Sequence, residues 1–192
     1  VRAPKLKSEL QATIRECLKL SPYCSKGPRG PIGDWDVSAI TDMSMLLYDP
    51  FPGENPVAAG ISKWDVSNNT NMDRTFYYVA SFDGDLPKWD VSRVTSMENM
   101  LRFASRFNSD ISKWDVSRVT EMQYMFKDAT SFNQELCGRS WVNSKAQKNE
   151  MFSGSPGSIS STICTSFSKR FLPELREELL KSVHTCLEVS PK

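Results

Sequence analysis

Ile111-Ser-Lys-Trp114-Asp-Val116-Ser-Arg-Val-Thr120-Glu-Met122-Gln-Tyr-Met125-Phe126, closed by Ser131-Phe132-Asn133, is one cycle of a repeat. Its central phrase, Trp-Asp-Val-Ser, starts at Trp35, Trp64, Trp89 and Trp114, and a degenerate copy, Trp-Val-Asn-Ser, starts at Trp141. These are all five tryptophans of the chain, spaced by 29, 25, 25 and 27 residues. A fixed period in this range is the mark of a solenoid, whose units bury their apolar faces only against their neighbours. Function in such an array belongs to the surface rather than to one enclosed pocket.

Within the cycle, Ile111, Trp114 and Val116 keep an L-x-x-L-x-L spacing. Trp114 and Val116 share one face of an extended chain while Lys113 and Asp115 point away, which predicts a short strand. Thr120 with Gln123 three residues on reads as a capping box, and Thr95 with Glu98 repeats it. Thr41 and Thr70 hold the same place with the weaker partners Ser44 and Asp73. Met122, Met125 and Phe126 at i, i+3 and i+4 predict a brief helix. Met97, Met100 and Leu101 match them, as do Met43, Leu46 and Leu47, and more loosely Met72 and Phe76. Phe82, Phe107 and Phe132 then turn inward, each followed by Asp83, Asn108 or Asn133. The expected fold is an α/β solenoid: a right-handed array of short parallel strands and short helices, five turns long, with a helical N-terminal cap. One turn alone cannot offset a chain entropy of about 1–2 kcal/mol per residue. Stacked turns, burying large apolar side chains worth roughly 1.5–3 kcal/mol each, can.

The expected organisation is an N-terminal helical cap over 1–30, a repeat solenoid over 31–152, a Ser/Gly-rich C-terminal cap and linker over 153–168, and the opening helix of a second tandem module over 169–192. The cap keeps Leu6, Leu10, Ile14, Cys17 and Leu18 on one face. The last segment copies it at a constant offset of 169: Leu175, Leu179, Val183, Cys186 and Leu187, with Ser190-Pro191 matching Ser21-Pro22. Tandem modules cut from a polyprotein explain that match; two unrelated amphipathic helices are the plainer alternative.

At 192 residues the chain is long enough for one domain, or one domain and a fragment. A formal net charge of +1, from 24 basic and 23 acidic residues, argues against nucleic acid as partner. No apolar stretch approaches the roughly 20 residues of a transmembrane segment. Cys17 and Cys24 are close enough to bridge within the N-terminal cap, and Cys137 and Cys164 bracket the degenerate fifth turn. A bridge closing the latter loop contributes roughly 3–4 kcal/mol. Cysteines paired at both ends point to an oxidising compartment, a secreted or cell-surface location or an organelle lumen; the alternative is buried free thiols in a reducing one.

The phrase from Ile111 to Phe126 with its closing Ser131-Phe132-Asn133 resembles the BspA-type leucine-rich repeat family, in its bacterial-surface-protein form of about 25 residues. The resemblance runs from about Ile32 to Phe152. It implies adhesion or protein–protein contact, with no catalytic residues to carry over. Four extra residues in the first turn and the cysteine-bearing caps resemble the eukaryotic, algal versions more than the bacterial ones.

Little in the chain points to chemistry. The one histidine, His184, lies near the end, no Cys/His cluster has zinc spacing, and no glycine-rich phosphate loop occurs. The serines have no paired base, so the reading is not an enzyme, with no cofactor and no metal. One column, Asp36, Asp65, Asp90 and Asp115, invites a row of Ca²⁺ ions, with carboxylates stacked about 4.8 Å apart. The plainer reading has each Asp accept turn amides beside Lys63, Lys88 and Lys113. Partner contact is expected at the Pro-rich insertion around Tyr48, Phe51 and Pro52, and on the surface bearing Tyr77, Tyr78, Arg102 and Tyr124, because Tyr and Arg dominate interface hot spots. The expected role is a protein–protein interaction or scaffolding module. Two settings fit: a structural accessory subunit of a large organellar assembly, for instance on the thylakoid lumen side of a photosynthetic membrane complex, or a cell-surface adhesion module.

Overall fold

The computed structural model describes residues 3–20, 24, 30–48 and 56–164. Regular secondary structure is sparse. Helix α1 spans Lys7–Leu20 and two 3₁₀ helices span Ile32–Asp34 and Pro56–Lys63. Strand β1 is Glu135–Leu136, helix α2 is Arg139–Val142 and strand β2 is Ser158–Ile159, with β1 and β2 paired in parallel. Between the repeats runs a ladder of single parallel bridges: Asp42 to Asn71, Asn71 to Ser96, Ser96 to Glu121, and Glu121 to Gln147.

The sequence predicts the strand at Trp-Asp-Val and a helix after the threonine. The structure pairs the chain one residue after the threonine instead, and residues 122–126 form turns, not a helix. The reason lies in where the amides go. The N–H of Met122 donates to Gln147 O at 2.9 Å, that of Tyr124 to Asn149 O at 3.0 Å and that of Phe126 to Met151 O at 2.9 Å, all in the next repeat. The N–H of Met125 turns back to Met122 O at 3.2 Å and that of Lys127 to Tyr124 O at 3.1 Å. Alternate amides thus serve the neighbouring repeat and the local turn, so no helical i→i−4 ladder can form. That alternation requires left-handed backbone at regular intervals, at Arg74, Asn99 and Tyr124 and again at Tyr78, Phe103 and Asp128, with φ between 54° and 64°. The predicted capping boxes are likewise replaced. Thr120 Oγ1 donates to Thr95 O, Thr95 Oγ1 to Thr70 O and Thr70 Oγ1 to Thr41 O, at 3.0–3.1 Å, tying repeat to repeat.

The tryptophans do more than fill space. Trp64, Trp89, Trp114 and Trp141 each donate their indole Nε1–H to a carbonyl of the preceding repeat: Ile32, Ile61, Leu86 and Ile111 respectively, at 2.8–3.2 Å. The carbonyls of Ile61, Leu86 and Ile111 also take the backbone N–H of the tryptophan three residues on, so both lone pairs are used. Around the indoles lie Ile, Val, Met and Phe side chains, almost wholly buried. Phe76, Phe82, Phe107, Phe132, Phe126 and Phe152 form a continuous series of stacked rings, 4.0–5.6 Å between successive centroids. At Gly138 the fifth repeat approaches the fourth closely: a Cβ there would stand 1.9 Å from Ser112 O.

At the N-terminal end, α1 buries Leu10, Thr13, Ile14 and Cys17, while Leu6, expected on that face, is exposed. Lys7 Nζ seats the helix on the first repeat, 3.2 Å from Asp42 Oδ2 and 2.6 Å from Ser44 Oγ. Cys17 and Cys24 are buried thiols rather than the bridge that their spacing predicts. Burial, and then a hydrogen bond with Cys17, push the Cys24 thiol up to about 12, so it stays protonated. At the other end Cys137 and Cys164 form a disulfide across the parallel pair β1–β2, with Cα atoms 5.1 Å apart. Strand β2 lies within the segment 153–168 expected as cap and linker. The helix expected over 169–192 lies outside the described residues.

Candidate interaction surface

The ladder positions equivalent side chains of successive repeats side by side, and one column stands out. Tyr48, Tyr77, Arg102 and Lys127 hold the same place in successive repeats, six residues after the bridging position. The next residue in two of those repeats is again aromatic, Tyr78 and Phe103. Tyr48 and Tyr77 lie 5.6 Å apart by ring centroid, Tyr77 meets Tyr78 edge-on at 4.6 Å, and Tyr78 stacks on Phe103 at 4.3 Å. The Arg102 guanidinium sits 4.8 Å from the Phe103 ring, 5.8 Å from Tyr77 and 5.5 Å from Tyr124. Lys127 Nζ lies 5.3 Å from the Tyr124 ring. All seven side chains are half-buried, with an open side to solvent.

The local backbone explains the outward aim. Tyr78, Phe103 and Asp128 occupy one left-handed position of the turn, with φ of 64°, 63° and 59°. Asp tolerates that conformation; bulky aromatics take it at a cost of about 1–2 kcal/mol. The amides of Tyr78 and Phe103 are nonetheless held by Arg102 O at 3.1 Å and Lys127 O at 2.9 Å. The ladder thus imposes the backbone, and Asp128 fills the same position without an aromatic ring. Arg102 is fixed by Nη1 donating to Asn99 Oδ1 at 3.1 Å, while its buried Nε–H has no acceptor. Arg74 pairs with Glu98 at 3.6 Å, and Lys127 forms an ion pair with Glu150. Burial raises the Tyr77 phenol above its ordinary value, against the pull of Arg102, so the hydroxyl remains a donor at neutral pH.

Of the contact residues predicted from sequence, the structure brings Tyr48, Tyr77, Tyr78, Arg102 and Tyr124 into one patch. Phe51 and Pro52 lie outside the described residues. Phe103 and Lys127 were not singled out, although aligning the repeats column by column places them beside Tyr78 and Arg102. Rings, a guanidinium and an ammonium with no nucleophile–base pair among them equip a surface for stacking and cation–π contacts.

Elsewhere the surface carries less. An open cleft of about 1820 Å³ lies at the fifth repeat, among exposed Lys113, Asp115, Arg139 and Lys145. In the aspartate column, Asp36, Asp65, Asp90 and Asp115 each accept the amide of the serine two residues on, at 3.0–3.1 Å. The bonds from Ser38 and Ser92 hold Asp36 and Asp90 below the usual carboxylate range. Lys63 pairs with Asp34, 3.6 Å away, rather than with the column. Among the described residues, no group of three or more His, Cys, Asp or Glu side chains is placed to hold a metal ion, and no helix is long and apolar enough to cross a membrane.

Residues 47–163, more than half of the chain, match the model of the family described as Mycoplasma protein of unknown function, DUF285, and the chain belongs to that family. No curated protein and no solved structure matches it.

Proposed function

We propose that this chain is an α/β solenoid module of the BspA type, non-enzymatic, that binds another protein through the patch of Tyr48, Tyr77, Tyr78, Arg102, Phe103, Tyr124 and Lys127. The observation that carries the reading is Arg102, held among three half-buried rings with an unpaired buried Nε–H. Tyr and Arg anchors of this kind concentrate binding energy at protein interfaces. The Cys137–Cys164 disulfide supports work in an oxidising compartment. Membership of the repeat family supports contact rather than catalysis.

The test is native co-purification followed by mass spectrometry, comparing the wild-type chain with Arg102→Ala and Tyr78→Asp. The wild-type chain retains a stoichiometric protein partner, and each variant lowers its recovery about tenfold or more, as loss of a hot spot of about 2 kcal/mol implies. Equal recovery by folded variants overturns the reading.

A further inference from the structure

We propose that Asn68 is an acceptor for N-linked glycan. Asn68-Asn69-Thr70 is the only Asn-x-Ser/Thr triplet in the sequence. Such a triplet on an exposed turn is the acceptor for oligosaccharide transfer in the secretory pathway. The repeat sets the local background: the equivalent triplets are Ala39-Ile40-Thr41, Arg93-Val94-Thr95 and Arg118-Val119-Thr120. The threonine is explained by the hydroxyl ladder between repeats. The asparagine takes no part in that ladder, and Ala39, Arg93 and Arg118 stand in its place in the other repeats.

The structure presents Asn68 as an acceptor must be presented. It is exposed, in a tight turn closed by Asn69 N–H donating to Val66 O at 2.8 Å. Its counterpart in the preceding repeat is the small, exposed Ala39. Its Nδ2 donates to Ser38 O at 3.0 Å and its Oδ1 accepts from Arg93 Nη1 at 2.8 Å. Glycosylation replaces one of two amide hydrogens, so the nitrogen keeps a donor for Ser38 and the oxygen still accepts from Arg93. The disulfide supplies a second line of argument, because disulfides and N-glycans are made in the same oxidising compartment.

The donor is a lipid-pyrophosphate-linked oligosaccharide. The Asn68 amide nitrogen attacks the anomeric carbon of its first N-acetylglucosamine. A C–N bond forms, the anomeric C–O bond breaks, the lipid pyrophosphate leaves, and the nitrogen loses one proton to base; nothing is oxidised or reduced. The Thr70 hydroxyl, engaged with Thr41 O in the folded chain, is free to assist only before the second repeat docks, which places transfer during synthesis.

The experiment is secretion of the full chain from a eukaryotic cell, with intact mass measured before and after peptide N-glycosidase. The wild-type chain loses a glycan mass, and the peptide bearing position 68 acquires a carboxylate there. Asn68→Gln abolishes the loss, whereas Asn69→Val, which keeps the triplet, preserves it. Arg118→Asn builds the same triplet on the equivalent turn of a later repeat and gains a second glycan. A folded, secreted wild-type chain that carries no glycan on Asn68 overturns the proposal, whether or not the Arg118→Asn variant is modified.

Discussion

A single indole carries two duties in each repeat. Trp89 is buried among apolar side chains and also donates to Ile61 O in the repeat before it. Removing both duties with Trp89→Ala is expected to cost about 3–5 kcal/mol, read by chemical denaturation. Trp89→Phe keeps most of the apolar area and loses the hydrogen bond, so its cost is expected near 1 kcal/mol. Asn69 shows the opposite case. It is fully buried where other repeats place Ile40, Val94 and Val119, and neither polar atom of its carboxamide has a partner. Asn69→Val is therefore expected to stabilise the chain by roughly 1–2 kcal/mol, visible as a raised melting temperature; a fall would mean the carboxamide is satisfied in solution. Acid sensitivity also originates at this scale. Bonds from the serine hydroxyls, and then from the serine amides, hold the Asp36 and Asp90 carboxyls below the ordinary value of 3.8. Their contribution is complete above 3.8 and is lost as pH falls through the lowered folded value. Denaturation midpoints between pH 5 and about 2 are expected to fall, and to fall less in Asp90→Asn.

At the scale of the element, the period was legible and the conformation was not. Tryptophan spacing and the apolar stripe correctly identify which side chains turn inward, since Met122, Met125 and Phe126 are all buried. A run of turns with a left-handed residue at every fourth position brings i, i+3 and i+4 to one side much as a helix does, so the stripe could not tell them apart. Left-handed positions usually reveal themselves as glycine; here only Gly154, with Asn99 and Asp128, gives such a sign, while Arg74, Tyr78, Phe103 and Tyr124 give none. The threonines misled for a related reason, since their hydroxyls reach back to the preceding repeat instead of capping their own. The alternation makes its own prediction for hydrogen exchange. Met97, Asn99, Leu101 and Phe103 donate to the next repeat, whereas the equivalent amides of Lys148, Glu150, Phe152 and Gly154 reach no backbone carbonyl among the described residues. The first four are expected to exchange more than about tenfold slower than the last four. Equal rates would mean that another chain segment covers the last repeat.

For the whole molecule, the ends behave differently from each other. The far end is held by a disulfide, and the near end by a helix over two buried thiols. Cysteine count and spacing could propose pairs; in the structure Cys137 and Cys164 are bonded, whereas Cys17 and Cys24 stand as buried thiols in contact with each other. The patch was partly legible: tyrosines and an arginine drew notice one by one. Their convergence depends on repeats 25 residues apart lying side by side, which only the ladder provides. The most direct test of that ladder is nuclear Overhauser contact from each indole N–H in solution. Registered stacking predicts contacts from Trp89 Nε1–H to Ile61 and to the Trp64 amide, from Trp114 to Leu86 and Trp89, and from Trp141 to Ile111 and Trp114. Indole protons that exchange freely, or that contact only their own repeat, would contradict it.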